Sequence, residues 1–256
     1  MKGRKRLFII LAITGVVFFS LLPLKAAAQP RITVPGINIE IGPAEEPQEL
    51  VGTLQLMLLL TVLTLAPAII ILMTSFTRLV VVLSFVRNAL ATQQTPPNQV
   101  IIGLALFLTV FIMAPVYREI NSNAIQPYVA GELTQEEALA AGEKPLREFM
   151  LKQTREKDLA LFINISGSER PQTRDDVSLT VLIPAFVISE LKTAFQMGFL
   201  LYIPFIIIDM VVASTLMSMG MFMLPPVMLS LPFKLLLFVM VDGWHLVVQS
   251  LVESFM

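Results

Sequence analysis

The chain has 256 residues, 55% of them hydrophobic and 14% charged, with a mean hydropathy of +0.78. Soluble domains carry roughly 25% charge, so this is a membrane-class composition, and a net charge of -1 leaves no basic field for binding nucleic acid. With no cysteine and one histidine, the chain lacks the means for disulfides, thiolate metal sites or a histidine metal cluster of its own.

Residues 1–28 carry the pattern of a secretory signal peptide. Lys2, Arg4, Lys5 and Arg6 precede a long apolar run, then come Pro23 and the small residues Ala26, Ala27 and Ala28. An uncleaved anchor is the alternative, since the run exceeds the usual length. Residues 29–49, rich in proline and glycine, read as an exported flexible arm.

Residues 50–117 are expected to form the first apolar helical hairpin. No charge appears from Leu50 to Thr77, yet Arg78 enters and apolar residues continue to Arg87. Either Arg78 snorkels at the cytoplasmic face or this helix is partly buried in protein. Pro96 and Pro97 stop it before a second run, Val100 to Tyr117. The two arginines near the turn place that turn in the cytoplasm by the positive-inside rule.

Residues 118–176 differ in kind, holding about half of the chain's charges. They read as a helical, extracytoplasmic insert with no catalytic pattern. Thr134 and Glu137 form a capping box, with Gly142 as the expected stop. Pro145 suits the first turn of a second helix, whose Leu146, Phe149 and Met150 share a face.

Residues 177–256 are expected to form a second apolar hairpin. Its third long run, Val177 to Ile208, contains Glu190 and Lys192, which point to different sides of a helix. Ala194 and Gly198 make a small-xxx-small pair that admits a close neighbour. They share a face with Glu190 and Met197, so that face is expected to meet protein.

The most unusual stretch runs from Asp209 to Trp244. No charge lies between Asp209 and Lys234, length enough to cross a hydrocarbon core of about 30 Å. Pro225, Pro226 and Pro232 interrupt it, which is tolerated at membrane depth only where protein or a cavity satisfies the freed backbone. Met217, Met219, Met221 and Met223 fall at every second position. On a helix such residues turn by about 200° per step, whereas in an extended segment they share one face. Unwinding before the prolines would let Met221 and Met223 project together as a flexible seal. A constriction or gate follows.

Charges inside apolar spans cost about 2.5–3.5 kcal/mol each on insertion scales and mark interhelix or functional sites. Glu190, Lys192, Asp209, Lys234 and Asp242 either pair across subunits or line a conduction path; pairing is the plainer expectation. An intramembrane aspartyl protease built on Asp209 and Asp242 lacks the glycine-flanked sequence expected around one of them, since Asp242 sits in VMVDGW and Asp209 in FIIIDMVV. A secondary transporter also uses broken helices, but no internal repeat of the broken segment appears.

Several long motifs then occur in order. PAFVISELKTAFQMGF (Pro184 to Phe199), PFKLLLFVMVDGW (Pro232 to Trp244), FMLKQTREKDLALF and the stretch from Thr74 to Val116 together resemble the FliP family of flagellar type III export proteins. The resemblance implies an all-α membrane protein of about four apolar segments in bent hairpins, with the helical insert outside the membrane. It implies no enzyme and no cofactor. It further implies a homo-oligomer, a pentamer, that forms a helical ring with FliQ and FliR, works with FlhA and FlhB, and surrounds the path of unfolded flagellar substrates. The location implied is the bacterial cytoplasmic membrane at the flagellar basal body. The family's gasket, three methionines before a valine and two prolines, matches Met221-Phe222-Met223-Leu224-Pro225-Pro226, so Phe222 stands where the family has methionine. Met219, Met221, Phe222 and Met223 are the expected gate. Arg78, Glu190, Lys192, Asp209, Lys234 and Asp242 are the expected subunit-contact charges, with Ala194, Gly198, Pro225, Pro226 and Trp244 as packing residues.

Overall fold

Apolar runs broken by proline and single charges dictate helices that bend where the backbone cannot continue. The computed structural model describes residues 47–256 apart from 93, 168–170 and 172, and these form helices and no strand. The expected signal peptide and most of the exported arm lie outside the described residues. Leu56–Met256 constitute one unit.

Helix α1, Pro47–Leu72, carries exposed Met57, Leu58, Leu60 and Leu63. The chain breaks at Met73–Ser75, where the Thr74 hydroxyl donates to the Ile71 carbonyl, and resumes as α2, Phe76–Ala89. This break decides between the two readings of Arg78. Arg78 and Arg87 both belong to α2, so no single helix runs from Leu50 through them, and Arg78 lies buried in protein. Leu79, Val82, Leu83 and Val86 follow at helical spacing and make the buried face of α2.

Helix α3, Asn98–Ile112, returns along α2. It bends by 54° at Met113 into α4, Ala114–Ile120, a π-helical turn at Asn121–Ile125, and the short α5, Gln126–Val129. Helix α6, Gln135–Gln153, starts at the expected box: Thr134 accepts from the Glu137 backbone N–H, and Glu137 accepts from the Thr134 N–H.

Its end corrects the sequence reading, because α6 passes through both Gly142 and Pro145 and stops at Thr154. Packing explains why. Gly142 faces Ala124 and Ile120 at distances where even a Cβ would make ordinary contact, 3.6 and 3.8 Å, and it keeps helical backbone, so nothing there stops the helix. Arg147, bonded to Glu143 and to the Val177 carbonyl, braces the turn that contains Pro145. The real break falls at Thr154–Arg155, both extended, where the Arg155 N–H donates to Ser189 Oγ at 3.1 Å. Helix α7, Glu156–Ser166, follows and ends on left-handed Gly167.

Helix α8, Leu179–Ser218, has 40 residues. At 1.5 Å per residue it is about 60 Å long, near twice a hydrocarbon core, so lipid cannot account for all of its apolar surface. Its first half packs on α2 through Glu190, Ala194 and Gly198. A Cβ on Gly198 would fall 2.6 Å from the Phe85 ring, so the glycine lets the two helices approach closely. Its second half packs on α9, Pro226–Met240, which bends by 63° into α10, Gly243–Glu253.

Pro232 was expected to interrupt the apolar stretch, but it lies inside α9. It removes one helical hydrogen bond without ending the helix. Among the described residues one helix, Leu179–Ser218, is long and apolar enough to cross a membrane, and the two bent pairs bring the candidates to three. About four were expected. Leu56–Ile69 is apolar but shorter than a full span.

Candidate functional site

Gly220 sets the geometry at the tip of the α8–α9 hairpin. With φ of +73° it takes the left-handed conformation that ends helices. Its N–H bonds the Met217 carbonyl at 3.1 Å, and the Met221 N–H bonds the Leu216 carbonyl at 3.0 Å. Those two bonds make a Schellman motif, which closes α8 and turns the chain away. Pro225 then caps α9 and Pro226 takes its first position, where a missing N–H costs nothing.

Between these stops lies a loop, Met219–Pro225, made almost wholly of large apolar side chains. Met219, Met221, Phe222 and Leu224 are exposed, and Met223 is 96% exposed. The segment does unwind as expected. It is a series of turns, however, and not an extended strand, so the alternating methionines do not share a strand face.

Beneath the loop, one carboxylate joins the two arms. Lys234 Nζ donates to Asp209 Oδ2 at 2.6 Å, and the Ser230 hydroxyl donates to Oδ1 at 2.5 Å. Ser230 and Lys234 are four apart on α9 and therefore share a face. Lys234 is 1% exposed and Asp209 26%.

A second and drier centre joins more of the chain. Arg78 Nε donates to Glu190 Oε2 at 2.9 Å, and one terminal nitrogen donates to Oε1 at 2.5 Å and to Gln153 Oε1 at 3.0 Å. The other terminal nitrogen donates to the Ser254 carbonyl at 2.9 Å and its hydroxyl at 3.0 Å. A guanidinium has five donors, and all five are used. The Phe255 ring lies 3.8 Å from the guanidinium carbon, completing a cation–π contact. Arg78 and Glu190 are 2% and 0% exposed. Helices α2, α6, α8 and the last turn after α10 thus meet at one residue.

The charges expected between subunits therefore divide. Arg78, Glu190, Asp209 and Lys234 pair inside one chain, because burial without a partner would cost more than any single contact returns. Lys192 and Asp242 are exposed and make no ion pair with another described residue. Asp242 is left-handed, with φ of 51°, at the bend before α10. Gly243 beside it is buried against Phe238, whose ring also meets Trp244 edge-on at 5.4 Å.

A family model described as the FliP family matches residues 59–251. The chain belongs to the FliP family. It is 60% identical to the flagellar biosynthetic protein FliP of Bacillus subtilis (strain 168) over 217 residues, 85% of this chain and 98% of the relative. It is 54% identical to the FliP of Pectobacterium carotovorum subsp. carotovorum over 79% of each chain. Against the FliP of Aquifex aeolicus (strain VF5) the identity is 51%, over 87% of this chain and 92% of the relative.

Several residues that organise this FliP-family chain escape a reading of its sequence. Gly220 carried a usable signal, a glycine near the end of a long apolar helix with prolines shortly after it. Ser230 carried a weaker one, as one of few hydroxyl residues between Asp209 and Lys234. Gln153, Ser254 and Phe255 carried none, since nothing local tells that they surround Arg78.

Proposed function

We propose that this FliP-family chain is a non-enzymatic pore subunit of the flagellar type III export gate. Copies of it assemble with FliQ and FliR into a helical ring in the bacterial cytoplasmic membrane, at the flagellar basal body. The ring works with FlhA and FlhB and conducts unfolded flagellar substrates. The observation that carries this reading is the loop Met219–Pro225: large apolar side chains exposed at the tip of a hairpin, with no charge between Asp209 and Lys234. Exposed methionine and phenylalanine are unfavourable in water and unnecessary for lipid anchoring, but they suit a ring that closes on itself and yields to varied cargo.

On this reading Met221, Phe222 and Met223 form the seal, with Met219 behind them. Phe222 keeps the bulk of the ring while stiffening its middle position. Contacts between subunits fall to Lys192, Asp242 and the exposed apolar faces of α8 and α9. The insert and the mature N-terminus lie on the extracytoplasmic side.

Replacing Met221, Phe222 and Met223 together with alanine is expected to raise ion leakage through the assembled complex. Unchanged conductance would overturn the gate assignment. Lys192→Ala is expected to lower the yield of intact oligomer in detergent while leaving the monomer folded.

A further inference from the structure

The two arms of the α8–α9 hairpin are apolar almost throughout, and apolar contact is non-directional. Such a pair of helices can slip against each other at little cost. A slip of one residue would move α9 by 1.5 Å and turn it by about 100°. Among the described residues, one set of directional bonds between the arms fixes the register near the loop. Asp209 is gripped by two side chains at once, Ser230 on Oδ1 and Lys234 on Oδ2. Hydrogen bonds to a charged group are short and directional, and a one-residue slip would break both.

The grip sits close to the loop that it would control. Asp209 lies nine residues before the end of α8 at Ser218, and Ser230 lies four residues after α9 starts at Pro226. The Ser230 hydroxyl lies within hydrogen-bond distance of both the Asp209 carboxylate, at 2.5 Å, and the Val227 carbonyl of its own helix, at 3.0 Å, with the carboxylate the nearer. Ser230 is fully buried, so this bond is not a surface accident.

We infer that Asp209, Ser230 and Lys234 are positioning residues for the loop Met219–Pro225, setting the height and rotation at which its apolar side chains are presented. The inference rests on the gate reading for its importance, but it concerns the placement of the loop itself.

The chain contains no cysteine, so a single cysteine introduced at Met223 is the one site in the chain that takes a nitroxide label, attached before assembly with the partners, and one at exposed Leu161 on α7 serves as control. Spectra are recorded on the full chain in the assembled complex. Asp209→Asn alone would strand the buried Lys234 ammonium, so the pair is removed together, as Asp209→Asn with Lys234→Met. Ser230→Ala is the milder variant. The expected result is a shift of the Met223 label toward its mobile component in both variants, larger for the double one, with the Leu161 label unchanged. An unchanged Met223 spectrum overturns the inference, and so does equal loosening of both labels, which would report general loss of structure. Conductance of the unlabelled variants separates the two ideas. A loosened loop without added leakage supports the positioning role and counts against the gate, whereas leakage without a loosened loop counts against the positioning role alone.

Discussion

Among the described residues, two ion pairs with a buried cation join the helices, and they differ in what surrounds them. Arg78–Glu190 is dry on both sides, uses every guanidinium proton, and gathers three helices and the last turn. Asp209–Lys234 joins only two helices, is partly open at the carboxylate, and lies within three turns of an exposed apolar loop. Saturated bonding at the first leaves no alternative arrangement of similar energy. The second is held by two bonds in apolar surroundings, so it can be altered without dismantling the rest. Rigidity and adaptability are thus assigned to opposite halves of α8.

The sharpest way to break this comparison is at the dry centre. Arg78→Ala leaves Glu190 buried without a partner, and such a change costs about 3–5 kcal/mol. Loss of the folded chain in detergent, followed by protease resistance, is the expected outcome. Arg78→Lys is expected to rescue little, because an ammonium offers three donors where the site uses five. If Arg78→Ala stayed as resistant as the parent, the contrast between the two pairs would collapse.

A smaller effect is expected where α2 and α8 meet. Gly198→Val would drive a side chain into Phe85, and rotating that ring does not relieve the clash because the Phe85 Cβ also stands 3.0 Å away. Overpacking of this kind costs about 1–3 kcal/mol, and thermal unfolding would register it.

The cap of α6 sharpens the comparison from outside the spans. Thr134→Ala removes the box and is expected to cost about 1 kcal/mol, seen as faster hydrogen exchange in the first turn of α6. The backbone N–H of Thr134, and then its hydroxyl, hold the Glu137 pKa below its ordinary value of 4.5. Since the folded value is the lower one, the contribution is complete above 4.5 and disappears as pH falls through the depressed value. Protection of that turn, taken relative to the intrinsic exchange rate at each pH, should therefore fall on acidification before that of the spans.

The smallest effect on stability is expected at the loop. Met223→Ala removes an exposed side chain and should change unfolding by less than about 0.5 kcal/mol. A large loss of stability there would show that the loop packs on its own chain, contrary to its exposure.

Much of this was legible in the residues. The small pair Ala194 and Gly198 and the charge-free stretch after Asp209 depend on local spacing, and local spacing survives in the structure. The misreadings share a cause. Gly142, Pro145 and Pro232 are strong local breakers, but α6 and α9 pass through them because packing against neighbours outweighs a single lost bond. The environment of Arg78 was illegible for a different reason, since its partners come from distant parts of the chain that no periodicity connects.

That distance has a consequence for synthesis. Glu190 lies 112 residues after Arg78, and Ser254 lies 176 after it. At about 5–20 residues per second, a ribosome delivers the carboxylate on the order of ten seconds after the arginine, and the serine later still. Gln153 arrives earlier, 75 residues after the arginine, but throughout that interval the guanidinium has no carboxylate, so water, a lipid headgroup or the insertion machinery must shelter its charge. The buried centre around Arg78 is therefore complete only after Ser254 and Phe255 have been made.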